Sequence, residues 1–211
     1  MRMAMTKARI SVSHSMDYFK TRWRIFLIGA FFISGLISGS LIVGGYSETS
    51  ETALDVVISG FIDVRTGQSI LTTFYNSLVS TVPLLIITFI LGLCAIGVPF
   101  IPFISVFRGL GLGISMGYLY AFQGLKGIGY CALIIIPPAI VSSIAIILAC
   151  KEALRFSSII FMSMTSKGNK TGKIPDMKKY CLRFCVFLFL LIAAAIIDAC
   201  FSSAFSRFFV F

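Results

Sequence analysis

Residues 97–113 read GVPFIPFISVFRGLGLG and place two prolines, one arginine and four glycines between two long apolar runs. Proline and glycine both disfavour the interior of a helix. Each apolar run is long enough to cross a hydrocarbon core about 30 Å thick, which requires roughly 20 helical residues. We therefore predict a helical hairpin, in which Pro99 and Pro102 belong to a tight turn and a membrane-spanning helix follows them.

The composition of the rest of the chain extends this prediction to the whole protein. Apolar residues make up 58% of the sequence and charged residues only 12%, which excludes an ordinary soluble domain. We predict an all-α, polytopic integral membrane protein that forms a single membrane domain over residues 1–211. The five predicted spans are 25–46, 78–97, 103–122, 130–150 and 180–203.

The basic residues predict how these spans are oriented. Most of the basic residues fall in the N-terminal segment 1–24 or in and just after the linker 151–179, and one, Arg108, follows the central turn. The basic residues predicted on this side are Arg2, Lys7, Arg9, Lys20, Arg22, Arg24, Arg108, Lys151, Arg155, Lys167, Lys170, Lys173, Lys178, Lys179 and Arg183. Only Arg65, Lys126 and Arg207 fall on the other side. Because basic loops face the cytoplasm, the N-terminus is predicted to be cytoplasmic and the C-terminus outside. Charges clustered between apolar runs also argue against nucleic-acid binding, despite the net charge of +10.

Two segments between the spans carry apolar residues of their own. Residues 47–77 form an external segment with four acidic residues and an apolar stretch, which is typical of a short helix on the membrane surface. Residues 156–164 are apolar enough to lie in the cytoplasmic interface. The first apolar run is too long for the core of a secretory signal and lacks a cleavage site, so we expect it to remain as a membrane helix.

Small residues recur at intervals of four in the third span, at Ser105, Gly109, Gly113, Gly117 and Ala121. This spacing lets two helix backbones touch, either within the chain or between proteins. A second pair, Gly35 and Gly39, lies in the first span and is the better candidate for a contact with another protein.

Arg108 and the adjacent prolines Pro137 and Pro138 are polar or helix-breaking residues within the predicted spans. Counted from a span that begins at residue 103, Arg108 is near the cytoplasmic end, where its side chain can extend to the interface as an anchor of the hairpin. The alternative is a buried contact with another helix or a partner. Pro137 and Pro138 fall in the middle of the fourth span and predict a kink or break.

The sequence gives little support to catalysis or to a bound metal or cofactor. The six cysteines lie in or beside apolar runs without a C-x-x-C pair, and the single histidine, His14, is in the polar N-terminal segment. The glycines after Arg108 have no Lys-Ser/Thr sequence that would make them a phosphate loop, and no hydrolase or metalloprotease motif occurs. We expect a non-enzyme with no cofactor and no metal.

Four segments resemble, in order, the stage II sporulation protein M family of endospore-forming bacteria. They are FYNS at 74–77, GLCAIGVPFIPF at 92–103, FRGLGLGISMGYLY at 107–120 and GLKGIGYCALIIIPP at 124–138. The chain departs from the family at Tyr75-Asn76, where relatives often have paired Asn. It departs again at Pro138-Ala139, where relatives commonly place an amide or imidazole group after the proline. Both departures put contacts made by those polar groups in doubt.

The resemblance implies a scaffold in engulfment, the step in which the mother cell surrounds the forespore. Such a protein would lie in the mother-cell membrane and hold two peptidoglycan-degrading partners, the stage II sporulation proteins D and P, with its outer face toward the cell wall. Two other hypotheses come from the residues. The broken fourth span suits a small permease or the membrane subunit of an export system, with a hydrated cavity lined by Pro137, Ser142 and Ser143. The third is a structural membrane protein without a defined partner.

Overall fold

The computed structural model describes the backbone of residues 2–45, 70–165 and 176–205, and the side chains of residues 23–44, 70–120, 129, 131–163 and 176–204. Within these ranges the chain forms five α-helices and one π-helical segment, without strands. The helices are α1 (Arg2–Gly45), α2 (Ile70–Leu93), α3 (Gly97–Tyr130), α4 (Ile136–Thr165) and α5 (Met177–Phe205), and the π-helical segment is Cys131–Ile135.

Five helical stretches are long and apolar enough to cross a membrane, one for each α-helix, and the fourth begins in the π-helical segment before α4. These stretches are Trp23–Gly44, Ile70–Leu93, Gly97–Tyr120, Cys131–Ser163 and Met177–Ala204. The prediction of an all-helical protein with five spans is therefore confirmed, although several boundaries differ. The orientation of the termini stays a prediction.

The central turn lies earlier in the chain than the prolines suggested. It occupies only residues 94–96, and α3 already begins at Gly97. Pro99 and Pro102 are thus the third and sixth residues of α3, not members of a loop. Pro99 is tolerated because the first four amides of a helix have no partner within it, whereas Pro102 lies inside the helix and supplies no N–H to its backbone hydrogen bonding. Gly97 is required at the turn, since a Cβ there would collide with the carbonyl of Leu91.

The chain also reverses direction between α3 and α4. Arg108 and Ser142 are 34 residues apart, which would be about 50 Å in a straight helix at 1.5 Å per residue. Their side chains are instead joined by a hydrogen bond of 2.6 Å. The backbone is helical through residues 121–130, where we expected a turn around Lys126, and the side chain of Lys126 lies outside the described residues.

All five helices contribute to one core, in which α4 is central. The buried residues include Ile28 of α1, Leu85 of α2, Ile101 of α3, Ile146 of α4 and Leu191 of α5. Half of the apolar window of α4 is buried, the largest share of the five spans. The protein is therefore a bundle in which four helices surround or flank α4.

The end of the bundle near the turn is held by aromatic rings and hydrogen bonds. Tyr180 is 2% exposed, stacks on Phe89 and Phe156, and donates a 3.0 Å hydrogen bond to the carbonyl oxygen of Phe89. Ser157 donates a 2.7 Å hydrogen bond to the carbonyl oxygen of Cys94 in the turn. Residues 156–164 were expected at the membrane interface. They continue α4, and their first two side chains are buried in the bundle, while their place at the interface stays a prediction.

Two predicted connecting segments are only partly within the described residues. The external segment 47–77 is described only from residue 70, where α2 begins eight residues before the predicted second span. The linker 151–179 is helical up to Thr165 and again from Met177, and residues 166–175 lie outside the described residues. The surface helix predicted within 47–77 therefore stays a prediction.

Candidate functional site

The small residues of α1 and α3 face each other at a close helix crossing. A Cβ on Gly109 would collide with the carbonyl oxygen of Phe32, and one on Gly113 with the carbonyl oxygen of Leu36. At Gly117 the crossing opens slightly, because an added Cβ would stand 3.2 Å from the Cα of Ser40. The backbones of the two helices therefore touch along this stripe, which only glycine permits.

The glycines of α1 complete the same crossing from the other side. An added Cβ would collide with the carbonyl oxygen of Val106 at Gly35, and with that of Leu110 at Gly39. Ser105, which is fully buried, donates a 3.1 Å hydrogen bond from α3 to the carbonyl oxygen of Ile28. We had expected Gly35 and Gly39 to be available to another protein. The third span of the same chain covers them instead, because its stripe has the matching spacing.

The predicted break at the prolines takes the form of a change in helix type. The π-helical segment Cys131–Ile135 comes first, and the α-helix resumes at Ile136 with Pro137 and Pro138 in its first turn. A proline supplies no backbone N–H, so the regular bonding pattern cannot pass through it. π-Helical insertions are frequent at functional sites. In this bundle, Ile135 at the end of the segment lines a cavity together with Pro138 and Ala139 of α4.

Arg108 points into the bundle at this place. Its Nη2 donates a 2.6 Å hydrogen bond to Oγ of Ser142, one turn after the prolines, and Ser142 also donates 3.2 Å to the carbonyl oxygen of Ala139. Arg108 is the twelfth residue of α3, because the helix begins six residues earlier than predicted. This hydrogen bond is the kind of contact with another helix that we gave as the alternative to an interfacial anchor. We predicted that Arg108, with Pro99 and Pro102, anchors the hairpin at the cytoplasmic end. That prediction assumed that the helix begins at residue 103, whereas α3 begins at Gly97.

The cavity around Arg108 has a volume of about 260 Å³ and lies between α2, α3, α4 and α5. Half of its lining residues are polar. They are Ser77, Ser80 and Thr81 of α2, Arg108 and Ser115 of α3, Ser142 of α4 and Asp198 of α5. A polar cavity with both a basic and an acidic side chain is costly inside a membrane, and such residues mark function by default.

Sequence reasoning did not find this group as a unit. Asp198 is 2% exposed and lies in the same cavity as Arg108, although 90 positions separate the two residues and each stood alone in an apolar run. A usable signal was present, because an intramembrane acid and an intramembrane base in one small protein suggest a shared site. Of the residues that we predicted for a cavity, Ser142 lines it, whereas Pro137 and Ser143 do not.

The described residues give no geometry for a metal site. No three His, Cys, Asp or Glu side chains in the described ranges stand close enough to hold an ion. Cys131 and Cys150 are buried as free thiols in the packed interior. The chemistry that the cavity offers is hydrogen bonding and charge, from one guanidinium, one carboxylate and several hydroxyls.

Comparison with protein families agrees with this architecture. The family model described as Stage II sporulation protein M matches residues 27–203, from within α1 to two residues before the end of α5. The chain belongs to this family. No curated protein and no solved structure shows significant similarity to it. Family membership and five apolar helices together indicate a sporulation-related, multi-pass membrane protein.

Proposed function

We propose that this protein is a non-catalytic scaffold that holds peptidoglycan-degrading enzymes at the mother-cell membrane during engulfment. The observation that carries the proposal is the family match, which extends over residues 27–203 and includes parts of all five helices. The proposed partners are the stage II sporulation proteins D and P, which the family resemblance implies.

The packing of the bundle is compatible with such a role. The closest helix contacts, those between α1 and α3, are made within the chain, so they stabilise a rigid frame. Tyr75, one of the two departures from the family pattern, is 66% exposed near the start of α2, where a partner could reach it. Ala139, the other departure, is buried in the cavity wall.

Co-purification from sporulating cells tests the scaffold. The tagged chain is solubilised in mild detergent at the time of engulfment, and the two hydrolases are quantified in the eluate by mass spectrometry. We expect both to be enriched over a matched membrane protein of similar abundance. Recovery of a folded chain with neither hydrolase would refute the scaffold function.

The polar cavity favours a second candidate function, that of a small permease or an export subunit. A transport pathway needs polar groups at membrane depth, and the cavity brings Arg108, Asp198 and several hydroxyls together beside a broken helix. A permease additionally requires that water reach these groups from one side of the membrane.

Thiol labelling in proteoliposomes tests that requirement. In a variant without the native cysteines, Ser115→Cys places a thiol in the cavity lining, and Ile37→Cys places one on the lipid-facing side of α1, where Ile37 is 51% exposed. A permease predicts that a water-soluble methanethiosulfonate labels the first and not the second. Equal failure to label both would exclude an aqueous pathway.

A further inference from the structure

Two arginine side chains share one carboxylate where α4 and α5 meet. Nη1 of Arg183 donates a hydrogen bond to Oε1 of Glu152, and Nη1 of Arg155 lies 3.8 Å from the same oxygen. The Glu152 side chain is only 14% exposed, whereas those of Arg155 and Arg183 are 56% and 46% exposed. The carboxylate is therefore the inner member of the group, and it holds two guanidiniums side by side at the surface of the bundle. We call Arg155 and Arg183 the arginine pair.

The arginine pair has more charge and more hydrogen-bonding capacity than Glu152 can use. Two guanidiniums carry more N–H donors than one carboxylate has lone pairs. The separation of 3.8 Å between Arg155 and Glu152 is that of an ion pair without a hydrogen bond. Because the planar fork of a guanidinium matches the oxygen atoms of a phosphate group, two adjacent forks with a net positive charge are suited to a phosphate.

The arginine pair lies at the depth of the lipid phosphates. The apolar stretch Met177–Ala204 has 28 residues. It is about 42 Å long, so it exceeds a hydrocarbon core of about 30 Å by roughly 6 Å at each end when it is centred. Arg183 is the seventh residue of this stretch, which places its Cα about 3 Å inside the boundary. Arg155 stands eight residues before the end of the 33-residue stretch Cys131–Ser163, and the same geometry places its Cα about 2 Å inside. An arginine side chain is long enough to cover either distance.

Below Arg183, α5 presents a row of apolar side chains to the lipid. Leu182, Val186 and Phe189 follow one another at intervals of four and three residues, so they share a face of the helix. They are 67%, 52% and 71% exposed. A ligand whose phosphate lies on the arginine pair can therefore extend an acyl chain along this face toward the middle of the membrane. A soluble phosphate compound has no group that would use it.

We propose that Arg155 and Arg183 bind the phosphate group of an anionic glycerophospholipid, whose acyl chain lies along Leu182, Val186 and Phe189. Basic groups between membrane helices at headgroup depth are the recognised chemistry for anionic lipids. Lys178 at the exposed start of α5 adds further positive charge. A lipid such as phosphatidylglycerol is therefore favoured over phosphatidylcholine, in which a cationic amine offsets the phosphate. The inference is independent of the scaffold function, because no partner protein enters it.

Native mass spectrometry of the full chain in detergent tests the site. The chain is titrated with phosphatidylglycerol or with phosphatidylcholine of the same acyl chains, and the apparent Kd of the first bound lipid is measured. We expect phosphatidylglycerol to bind about tenfold more tightly or better. Glycerol phosphate, which has the same headgroup chemistry without acyl chains, should not displace the lipid at about a tenfold excess over it.

Two combined variants show whether the arginine pair is responsible. Glu152→Gln with Arg155→Gln and Arg183→Gln removes both guanidiniums without leaving a carboxylate unpaired, and it lowers the net charge by one unit. The control, Lys178→Gln with Lys179→Gln, lowers the net charge by two units at exposed positions of the same region. We expect the first variant to weaken phosphatidylglycerol binding by about tenfold or more, and the control to weaken it by less than about threefold.

Arg183→Lys is a milder variant that keeps the charge and loses the fork. It should weaken phosphatidylglycerol binding by about threefold or more, because an ammonium group cannot make the paired hydrogen bonds of a guanidinium. If the triple variant does not fold, this substitution and the lipid preference of the wild-type chain decide the matter.

Four outcomes would overturn the site. Equal affinity of the wild-type chain for the two lipids would show that it does not select an anionic lipid. A larger loss in the lysine control than in the triple variant would show that net charge alone controls binding. Unchanged binding by Arg183→Lys would refute recognition by the guanidinium fork. Displacement of the lipid by glycerol phosphate would show that the ligand is a soluble phosphate compound, and that the apolar face of α5 takes no part.

Discussion

The contact between α1 and α3 predicts a large difference between two glycines that are two positions apart in one helix. In Gly113→Ala, the new methyl group would stand 3.0 Å from the carbonyl carbon and 3.1 Å from the Cα of Leu36, and closer still to the carbonyl oxygen. All of these atoms are backbone and cannot rotate away. In Gly111→Ala, the same methyl group meets nothing within 4 Å. The chemical change is identical, and only the neighbour differs.

The expected cost follows from how far α1 must move. Normal contact requires the helices to separate by roughly 0.5–1 Å, which forfeits a quarter to a half of each dispersion contact along the crossing. Overpacking of this kind costs about 1–3 kcal/mol. The same movement weakens the 3.1 Å hydrogen bond from Ser105 to Ile28, an interaction worth about 0.6 kcal/mol between membrane helices. Gly111→Ala should be neutral or stabilising by up to about 1 kcal/mol, because alanine favours helix.

Thermal unfolding in detergent measures the difference. The four exposed cysteines are replaced by serine, and a thiol-reactive dye reports exposure of the buried Cys131 and Cys150. A destabilisation of about 2 kcal/mol should lower Tm by roughly 4–8 °C in Gly113→Ala, and Gly111→Ala should not lower it. Gly117→Ala should fall between them, since its nearest atom is 3.2 Å away. Equal melting temperatures for Gly113→Ala and Gly111→Ala would refute the close crossing.

Three further predictions concern the turn, the aromatic cluster and the orientation of the chain. Ser157→Ala removes the hydrogen bond to the carbonyl oxygen of Cys94 and should lower the free energy of unfolding by about 1 kcal/mol. Ser158→Ala, the control, should change that free energy little, because the Ser158 hydroxyl bonds within its own helix. Similar losses for both variants would show that the turn is not held by α4. Tyr180→Phe keeps the stacked rings but loses the hydrogen bond to the carbonyl oxygen of Phe89, so it should also lower the free energy of unfolding by about 1 kcal/mol. An unchanged Tm in the same thermal assay would contradict that bond. Alkaline phosphatase should be active when fused to the C-terminus and inactive when fused to the N-terminus, since the basic segments predict that the N-terminus is cytoplasmic; the reverse pattern would invert the topology.

The number and type of the elements could be predicted because each span leaves a local signal. Apolar runs of membrane length and glycines at intervals of four are visible without a structure, and they correctly indicated five helices and a close helix contact. The boundaries were harder, because proline marks both turns and the first turn of a helix. Pro99 and Pro102 were assigned to the turn, and this assignment moved Arg108 from the middle of its helix toward the end.

The cavity could not be predicted because it depends on which helices are neighbours. Arg108, Ser142 and Asp198 come from three helices, and their hydrogen-bonding groups meet only when α3 and α4 fold back on each other beside α5. The neighbour of Gly35 and Gly39 could not be predicted for the same reason. Their spacing predicted a contact surface, but only the arrangement of the helices shows that the surface is covered by the chain itself.

The most direct test of the scaffold is the position of a fluorescently tagged peptidoglycan-degrading partner in sporulating cells that lack this chain. We predict that the partner disperses over the mother-cell membrane without this chain, and that the wild-type chain restores it to the engulfing membrane. A partner that remains concentrated at the engulfing membrane without this chain would contradict the proposed function.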